Sequence, residues 1–381
     1  MTHSKRSRRK GFTLVELLVA MAVFVVIGGA AVKLVRAHIP LVSSSQNQAG
    51  LNMALRSVAA QMQLDAVNAG SGYSEVSPAN TWNMGIVVSN RVTTTDCHDP
   101  ATYVYSASCF DSFSIVSNDT SASVASPSDT SGSIAVGTHC TDTTTTALYL
   151  VPPAGGVTAA TLAGQYAIGD QILLVKAGGT FITTFTVTDV PSVFKTTAGE
   201  NIVKIPHHAT SATGTTLTAA DDPLGIARTM IGDPTKLPIT GSPTDPFTLG
   251  TQFCVTDYAY KLTAITYSVD ATTDPTSPRL IRTQAGTSSI IAEQIIGFKV
   301  GASIKNTTSD NPYSYDSNST DLTQTYYNDW SAIRAVRVSV IGRTPPGSDV
   351  NDRFTNGFDN GPYRVEAVSV VINPRNLSMN D

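Results

Sequence analysis

The sequence predicts an α+β protein in which one long N-terminal helix packs on the antiparallel β-sheet of an enlarged C-terminal head. The first 70 or so residues hold an unbroken apolar run and then apolar side chains at helical spacing. Beyond about residue 73 the pattern changes to short apolar runs separated by turn residues, which is typical of strands. A helix with one apolar face, followed by strands, favours a helix laid across a sheet.

The helix begins with an apolar run long enough for a membrane. Residues 12–32 contain a single charged side chain, that of Glu16. At 1.5 Å per residue this run forms a rod of about 31 Å, which crosses the core of a bilayer. Five basic residues precede Gly11 directly, and no small-residue cleavage site follows the apolar run, unlike a secretory signal. We therefore expect the apolar segment to be retained.

Glu16 needs a compensating cation. A carboxylate at the centre of a bilayer costs about 2.5 to 3.5 kcal/mol, and residues 12–32 contain no Lys, Arg or His. Cleavage after Gly11 would create an α-amine at Phe12. The amine of one subunit would then neutralise Glu16 of its neighbour.

The string GFTLVELLVAM, from Gly11 onward, resembles the N-terminal signature of type IV pilins and type II secretion pseudopilins. The resemblance implies a pilin-like fold and a class III leader, residues 1–11, that a prepilin peptidase removes. It implies that the peptidase methylates Phe12, and that Glu16 aligns incoming subunits. The implied partners are other major and minor pilins and an inner-membrane assembly platform. The head would lie in the periplasm, with a cytoplasmic N-terminus, and later in a pilus at the cell surface.

The second half of the predicted helix is amphipathic. Pro40 should kink the rod, because it removes a backbone donor and clashes with the preceding turn. Beyond it an apolar face recurs at helical spacing, formed by Leu51, Leu55, Val58 and Met62. Gly70 and Gly72 should end it. The predicted organisation is a leader (1–11), a transmembrane and filament-core helix (12–39), an amphipathic helix (40–72) and a β-rich head (73–381).

Nine apolar runs predict the strands of the head. They are residues 84–88, 103–105, 148–151, 171–176, 181–187, 264–269, 290–300, 333–341 and 363–372. Within 333–341 the alternation of Val336, Val338 and Val340 with other residues indicates one buried face. Two low-complexity stretches, 118–146 and 306–328, are predicted as long surface loops.

A second resemblance covers residues 258–377. The strings ITYSVD, LIR, IIGFKV, DWSAIRAVRVSVIGR and YRVEAVSVVINPRNL are similar in order and spacing to the PilW type of minor pilin and to the J-type pseudopilin. This resemblance implies a minor pilin that acts in pilus assembly and priming. The alternatives are a type II secretion pseudopilin and a membrane-anchored adhesin or ligand-binding ectodomain. The stretch 73–253 resembles no family that we can name.

Four cysteines, Cys97, Cys109, Cys140 and Cys254, allow three disulfide connectivities in an oxidising compartment. We expect Cys97 to pair with Cys109 first, because the loop between them is short. The competing interpretation is a zinc site that adds His98 and His139 to Cys97 and Cys140. Adjacent residues seldom both reach one metal ion, so no metal is predicted.

Other chemistry finds little support in the sequence. The acid-rich stretches 310–329 and 349–359 could hold calcium by family analogy, but neither follows the calcium-loop pattern, so solvated loops are expected. Hydrolase, metalloprotease, nucleotide and dinucleotide motifs are missing, and His207 and His208 are expected at the surface. We therefore predict a structural protein and no enzyme.

The charge of the chain argues against nucleic-acid binding. Formal net charge is -4, and loss of five leader bases would bring it to about -9. A local basic patch at Arg334, Arg337 and Arg343 stays open. Only 14% of residues are charged, against about 25% in typical soluble domains, which suits a hydroxyl-rich exported surface.

Overall fold

The computed structural model describes most of the chain. The described residues are 13–71, 85–90, 97–99, 101–134, 138–141, 146–175, 177, 182–207, 216–217, 247–248, 253–304, 333–345 and 355–374. Within them one long helix is followed by a head of antiparallel β-sheets, which confirms the predicted α+β class with a pilin-like arrangement.

Helix α1 spans Leu14–Ala66 and runs through Pro40 without a break, so the predicted segments 12–39 and 40–72 share one helix. A kink at Pro40 stays a prediction. The predicted apolar face is confirmed, since Leu51, Leu55, Val58 and Met62 are all buried. The helix ends at Ala66, and Gly70 follows with a φ of 69°, a conformation that glycine adopts without strain. Gly72 lies outside the described residues.

The described strands form four sheets. The large sheet has the order β1-β2-β11-β12-β13, and the β5–β6 hairpin also joins it through β11. Its strands are β1 (Ile86–Ser89), β2 (Ser112–Asn118), β5 (Gln171–Val175), β6 (Ile182–Thr186), β11 (Tyr258–Asp270), β12 (Arg279–Gln284) and β13 (Thr287–Glu293). The C-terminal sheet has the order β14-β15-β16, from Ile295–Ile304, Ile333–Arg343 and Val365–Ile372.

Two smaller sheets complete the described head. One has the order β3-β4-β8-β7. Its strands are β3 (Ser126–Ser128), β4 (Ala147–Val151), β7 (Ser192–Lys195) and β8 (Asn201–Pro206), and the short helix α2 (Ala159–Ala163) packs beside them. The other pairs β9 (Thr216–Leu217) with β10 (Phe247–Thr248).

The head contains two hydrophobic cores, and β5 takes part in both. Leu173 and Val175 belong to the core that the second half of α1 shares with the large and C-terminal sheets. Ile172 and Leu174 belong to the second core, between α2, β4 and β8. Successive side chains of a strand point to opposite faces, so a continuous apolar run is what a strand between two cores requires.

Several strand predictions are confirmed and others are corrected. The predicted run 290–300 is two strands, because Gln294, with a φ of 58°, separates β13 from β14. Residues 103–105 contribute one isolated bridge, from His98 to Tyr105, and form no strand. The stretch 118–146 is no simple surface loop, since it contains β3 and the fully buried Ser128. The stretch 306–328 lies outside the described residues.

Candidate functional site

Thr13 and Glu16 form the first turn of α1. Thr13 is the N-cap, and its Oγ1 accepts a hydrogen bond from the Glu16 amide at 3.3 Å. Glu16 Oε2 in return accepts from the Thr13 amide at 2.9 Å and from Thr13 Oγ1 at 3.0 Å. This reciprocal arrangement is a capping box, which satisfies amide groups that have no partner within the helix. Sequence analysis missed it, although the T-x-x-E spacing was a sufficient signal.

The capping box engages one oxygen of Glu16. Among the residues that the structure describes, no donor reaches the other oxygen, Oε1. A carboxylate offers about four lone-pair positions, so Glu16 keeps capacity for an external cation while it caps its own helix. The carboxylate is also held in one orientation by Thr13.

The helix around Glu16 has an exposed apolar surface. Residues Leu14–Val35 are a candidate membrane span of 22 residues, with a mean hydropathy of 2.5 and nothing buried inside the structure. Phe24 is 77% exposed. At 1.5 Å per residue the span is about 33 Å long, which matches the core of a bilayer. Such a surface requires lipid or other helices around it.

Polar contacts attach the other half of α1 to the head. Arg282 on β12 donates from Nε to Asp65 Oδ2 at 2.6 Å and from Nη2 to Asp65 Oδ1 at 3.2 Å, and the Tyr267 hydroxyl also donates to Asp65. Burial opposes ionisation of Asp65, but these bonds outweigh it and hold the pKa of Asp65 below its usual range. Near the middle of α1, Gln48 Nε2 donates to Glu366 Oε1 at 2.7 Å.

Gly11 and Phe12 lie outside the described residues, so cleavage and methylation there stay predictions. Pro40 lies within α1, and nothing is described of its side chain. Of the site residues predicted at the N-terminus, Glu16 has a described side chain. The structure adds Thr13 as its hydrogen-bond partner.

The disulfide of the structure joins Cys140 to Cys254. The Cys97–Cys109 pair that we expected first stays a prediction; Cys109 is buried and Cys97 is half-buried. Cys140 and Cys254 lie 114 positions apart in the sequence, and an isolated antiparallel bridge brings them together in the fold. Asp257 orders the turn after Cys254 by accepting from its amide and from the Ala177 amide, both at 2.7 Å.

His139, a residue of the zinc site considered from the sequence, has other hydrogen-bond partners in the structure. His139 lies within hydrogen-bond distance of Asp129 Oδ1 at 2.9 Å and of the Ser133 carbonyl at 2.8 Å. In the part of the chain that is described, no group of three His, Cys, Asp or Glu side chains could hold a metal ion. Asp359, at the end of the acidic stretch 349–359, accepts bonds from Tyr105 and Tyr363. The stretch 310–329 lies outside the described residues.

Two further expectations are corrected. His207 is buried, at 8% exposure, because it directly follows β8 and its ring lies 4.4 Å from that of Phe185, a residue of the second core. His208 lies outside the described residues. Arg343 is 2% exposed, so it contributes nothing to a basic surface with Arg337.

Comparison with known proteins identifies the N-terminal segment. Residues 6–32 match the family model of the prokaryotic N-terminal methylation motif. No curated protein and no solved structure matches the chain. The matched segment contains Gly11, Phe12 and Glu16, and most of the exposed apolar span.

The match supports a type IV pilin-like or pseudopilin-like protein. The motif indicates a substrate of prepilin peptidase, and the apolar helix indicates a membrane anchor. Proteins with this motif are typically structural, and nothing in the described residues shows catalytic activity. The motif covers a small part of the chain, so the particular subunit is a matter for proposal.

Proposed function

We propose that the chain is a PilW-type minor pilin, processed by prepilin peptidase and acting in the assembly or priming of a type IV pilus. The observation that carries the proposal is Glu16, which keeps one carboxylate oxygen available on an exposed apolar helix that contains no cation before Lys33. Peptidase cleavage after Gly11 supplies the missing cation as the α-amine of methylated Phe12. An adjoining subunit then receives that amine at Glu16.

The proposed topology follows from the same helix. The basic residues before Gly11 lie in the cytoplasm, because positive charge marks the cytoplasmic side of a span. The head, from residue 73, lies in the periplasm before assembly and on the pilus afterwards. The second resemblance supports the PilW type, since its strings IIGFKV, AVRVSVIGR and VEAVSVVI fall on β14, β15 and β16, which pair in that order.

Replacement of Gly11 by Glu tests processing. The variant should keep its leader, and intact-mass measurement should show residues 1–11 still attached, whereas the wild type should begin at methylated Phe12. A Gly11→Glu variant that matures to the wild-type mass would contradict the proposal.

Replacement of Glu16 by Ala tests subunit alignment. The variant should be cleaved and methylated, yet it should be absent from sheared pili and present in the inner membrane. The matched control is Thr13→Val, which loses the capping hydroxyl but keeps the carboxylate. Equal loss of both variants from pili would show that Glu16 acts only as a cap, and would overturn the proposed pairing.

A type II secretion pseudopilin is the second candidate, favoured by the likeness of residues 258–377 to the J-type pseudopilin. Deletion of the chain separates the two candidates. A minor pilin deletion should reduce surface pili and leave protein secretion unchanged. Loss of secretion with normal pili would favour the pseudopilin.

A further inference from the structure

A cleft of about 610 Å³ lies on the face of the large sheet opposite α1. Register shows which side chains share this face, because directly paired residues point the same way. Ser114 pairs with Thr266, which pairs with Thr283. The residues that alternate with them, Phe113 and Tyr267, lie in the core under α1. The face carries a row of hydroxyls: Ser89, Ser112, Ser114, Thr266 and Thr283.

The cleft exists because the large sheet branches along β11. Strand β5 pairs with β11 up to Leu262, and β12 begins to pair at Ile265 on the same side of β11. Only residues 263 and 264 lie between the two hairpins. One wall is the start of β5, at Gly169 and Asp170, and the opposite wall is the β12–β13 turn.

A fixed set of charges closes one end of the cleft. Lys261 Nζ lies 2.7 Å from Asp170 Oδ2 and 3.6 Å from Asp119 Oδ2, and it donates to the Gln165 carbonyl at 2.9 Å. All three charged side chains are about one-fifth exposed or less. Two carboxylates and one ammonium leave a formal charge of -1 at this end.

One polar atom of a residue that lines the cleft lacks a partner among the described residues. Gln171 has its Oε1 buried with no hydrogen bond. Buried polar atoms are normally hydrogen-bonded, so this side chain has bonding capacity left over.

We propose that this cleft binds a single neutral sugar unit of a glycan. Serine and threonine hydroxyls both donate and accept, as sugar hydroxyls do. The Asp170 carboxylate, which Lys261 holds in place through its Oδ2, presents an acceptor to a sugar hydroxyl. The local charge of -1 disfavours uronic and other acidic sugars.

Size and topology agree with this ligand class. The volume lies within the usual range of small-molecule sites, about 300 to 1,000 Å³. An extended peptide is a poorer occupant, because strand addition needs a long open edge. Here the two hairpins leave only residues 263 and 264 of β11 open on that side.

Saturation-transfer NMR on the full-length protein in glycolipid-free nanodiscs tests the proposal. The probes are glucose, galactose, mannose and N-acetylglucosamine, with glucuronate as the acidic counterpart. At least one neutral sugar should give a saturating signal, and glucuronate should bind more weakly. If no neutral sugar binds, or glucuronate binds tightest, the proposal is overturned.

Three variants test whether the NMR signal arises from sugar bound in the cleft. Ser89→Trp, at the exposed rim, should fill the cleft and abolish binding, whereas Val190→Trp, at an exposed position between β6 and β7, should bind like the wild type. Thr266→Val removes one hydroxyl at constant volume and should weaken affinity about five-fold. Equal binding by the two tryptophan variants overturns the proposal. If Ser89→Trp lowers the melting temperature of the protein, its loss of binding is not informative. In that case a Thr266→Val variant with the sugar affinity of the wild type overturns the proposal.

This inference is independent of the proposed pilus function. Leader removal in the Ser89→Trp variant should proceed as in the wild type, which intact mass measures separately. Failure of sugar binding and failure of processing are thus distinguishable results.

Discussion

Arg343 is a buried cation whose partners come from distant parts of the chain. Its Nε donates to Gln294 Oε1 at 2.8 Å, and its other nitrogens donate to the carbonyls of Tyr103 and Thr276. The guanidinium carbon lies 4.7 Å from the centre of the Tyr363 ring. A planar group with five donors is suited to such a set of acceptors, and a lysine ammonium is not.

We predict that Arg343→Met destabilises the head by about 3 kcal/mol, because several buried acceptors lose their donor at about 1 to 3 kcal/mol each. Arg343→Lys keeps the charge but not the planar guanidinium group. Its stability should lie between those of the wild type and Arg343→Met. Thermal melting of the full-length protein measures both. An Arg343→Met variant as stable as the wild type would contradict the role that the contacts give to this side chain.

Prediction of single residues from sequence is possible where the physical problem is local. Glu16 can be singled out because a carboxylate within an apolar run is costly whatever the rest of the fold does, and its role in subunit alignment stays a prediction. The burial of Arg343 was not predicted, and a basic patch containing it was left open, because its acceptors, near residues 103, 276 and 294, come together only in the folded chain. The Thr13 cap was local as well, and the T-x-x-E pattern could have revealed it.

At the scale of elements, the contact of α1 with β12 should depend on pH. The folded-state pKa of Asp65 is lowered, so its contribution to stability is complete above the unfolded value of about 3.9. The contribution is lost as pH falls through the lower folded-state pKa.

Asp65→Asn should therefore be less stable than the wild type at pH 7, with the difference shrinking below about pH 4. Melting temperatures of both proteins between pH 2 and 7 measure this, and the asparagine variant controls for every other carboxylate. A constant difference over that range would show that the charge of Asp65 does not stabilise the contact.

The Cys140–Cys254 disulfide should stabilise the head through its long loop. Closure of a loop of 114 residues restricts the unfolded chain, which is worth up to about 4 to 5 kcal/mol. We predict a large fall in melting temperature for the double variant Cys140→Ser, Cys254→Ser. Non-reducing peptide mapping of the wild type should recover the linked pair. A double variant that melts with the wild type would argue against the assigned pairing.

Elements were predictable where composition carried the signal. The core strands β4, β5 and β15 read as apolar runs and are confirmed. Strand β2, with the sequence SFSIVSN, and β12, RLIRTQ, were not predicted as strands, because one of their faces carries hydroxyls or charges. The 290–300 run concealed a strand boundary at Gln294, which only its positive φ reveals.

At the scale of the whole molecule, the head is much wider than the helix that anchors it. A compact domain of about 190 residues, the number that the structure describes in the head, has a radius of gyration near 16 Å, so it is about 42 Å across. A helix with its side chains is about 10 to 12 Å across. The apolar surface at Leu14–Val35 is compatible with close helix packing, while the head restricts how many copies fit side by side.

We therefore predict that pili contain far fewer copies of this chain than of their major subunit. Subunits that pack at helix spacing in a filament core would bring heads of this width into collision, so neighbouring positions need smaller subunits. Quantitative mass spectrometry of sheared pili, with labelled peptides from the head as standards, measures the ratio.

Overexpression of the chain should shorten pili or reduce their number, because excess copies terminate growth, whereas overexpressed Glu16→Ala should leave them unchanged. Equimolar incorporation with the major subunit would contradict the steric argument and with it the minor-pilin assignment, but would leave the processing predictions at Gly11 and Phe12 in place.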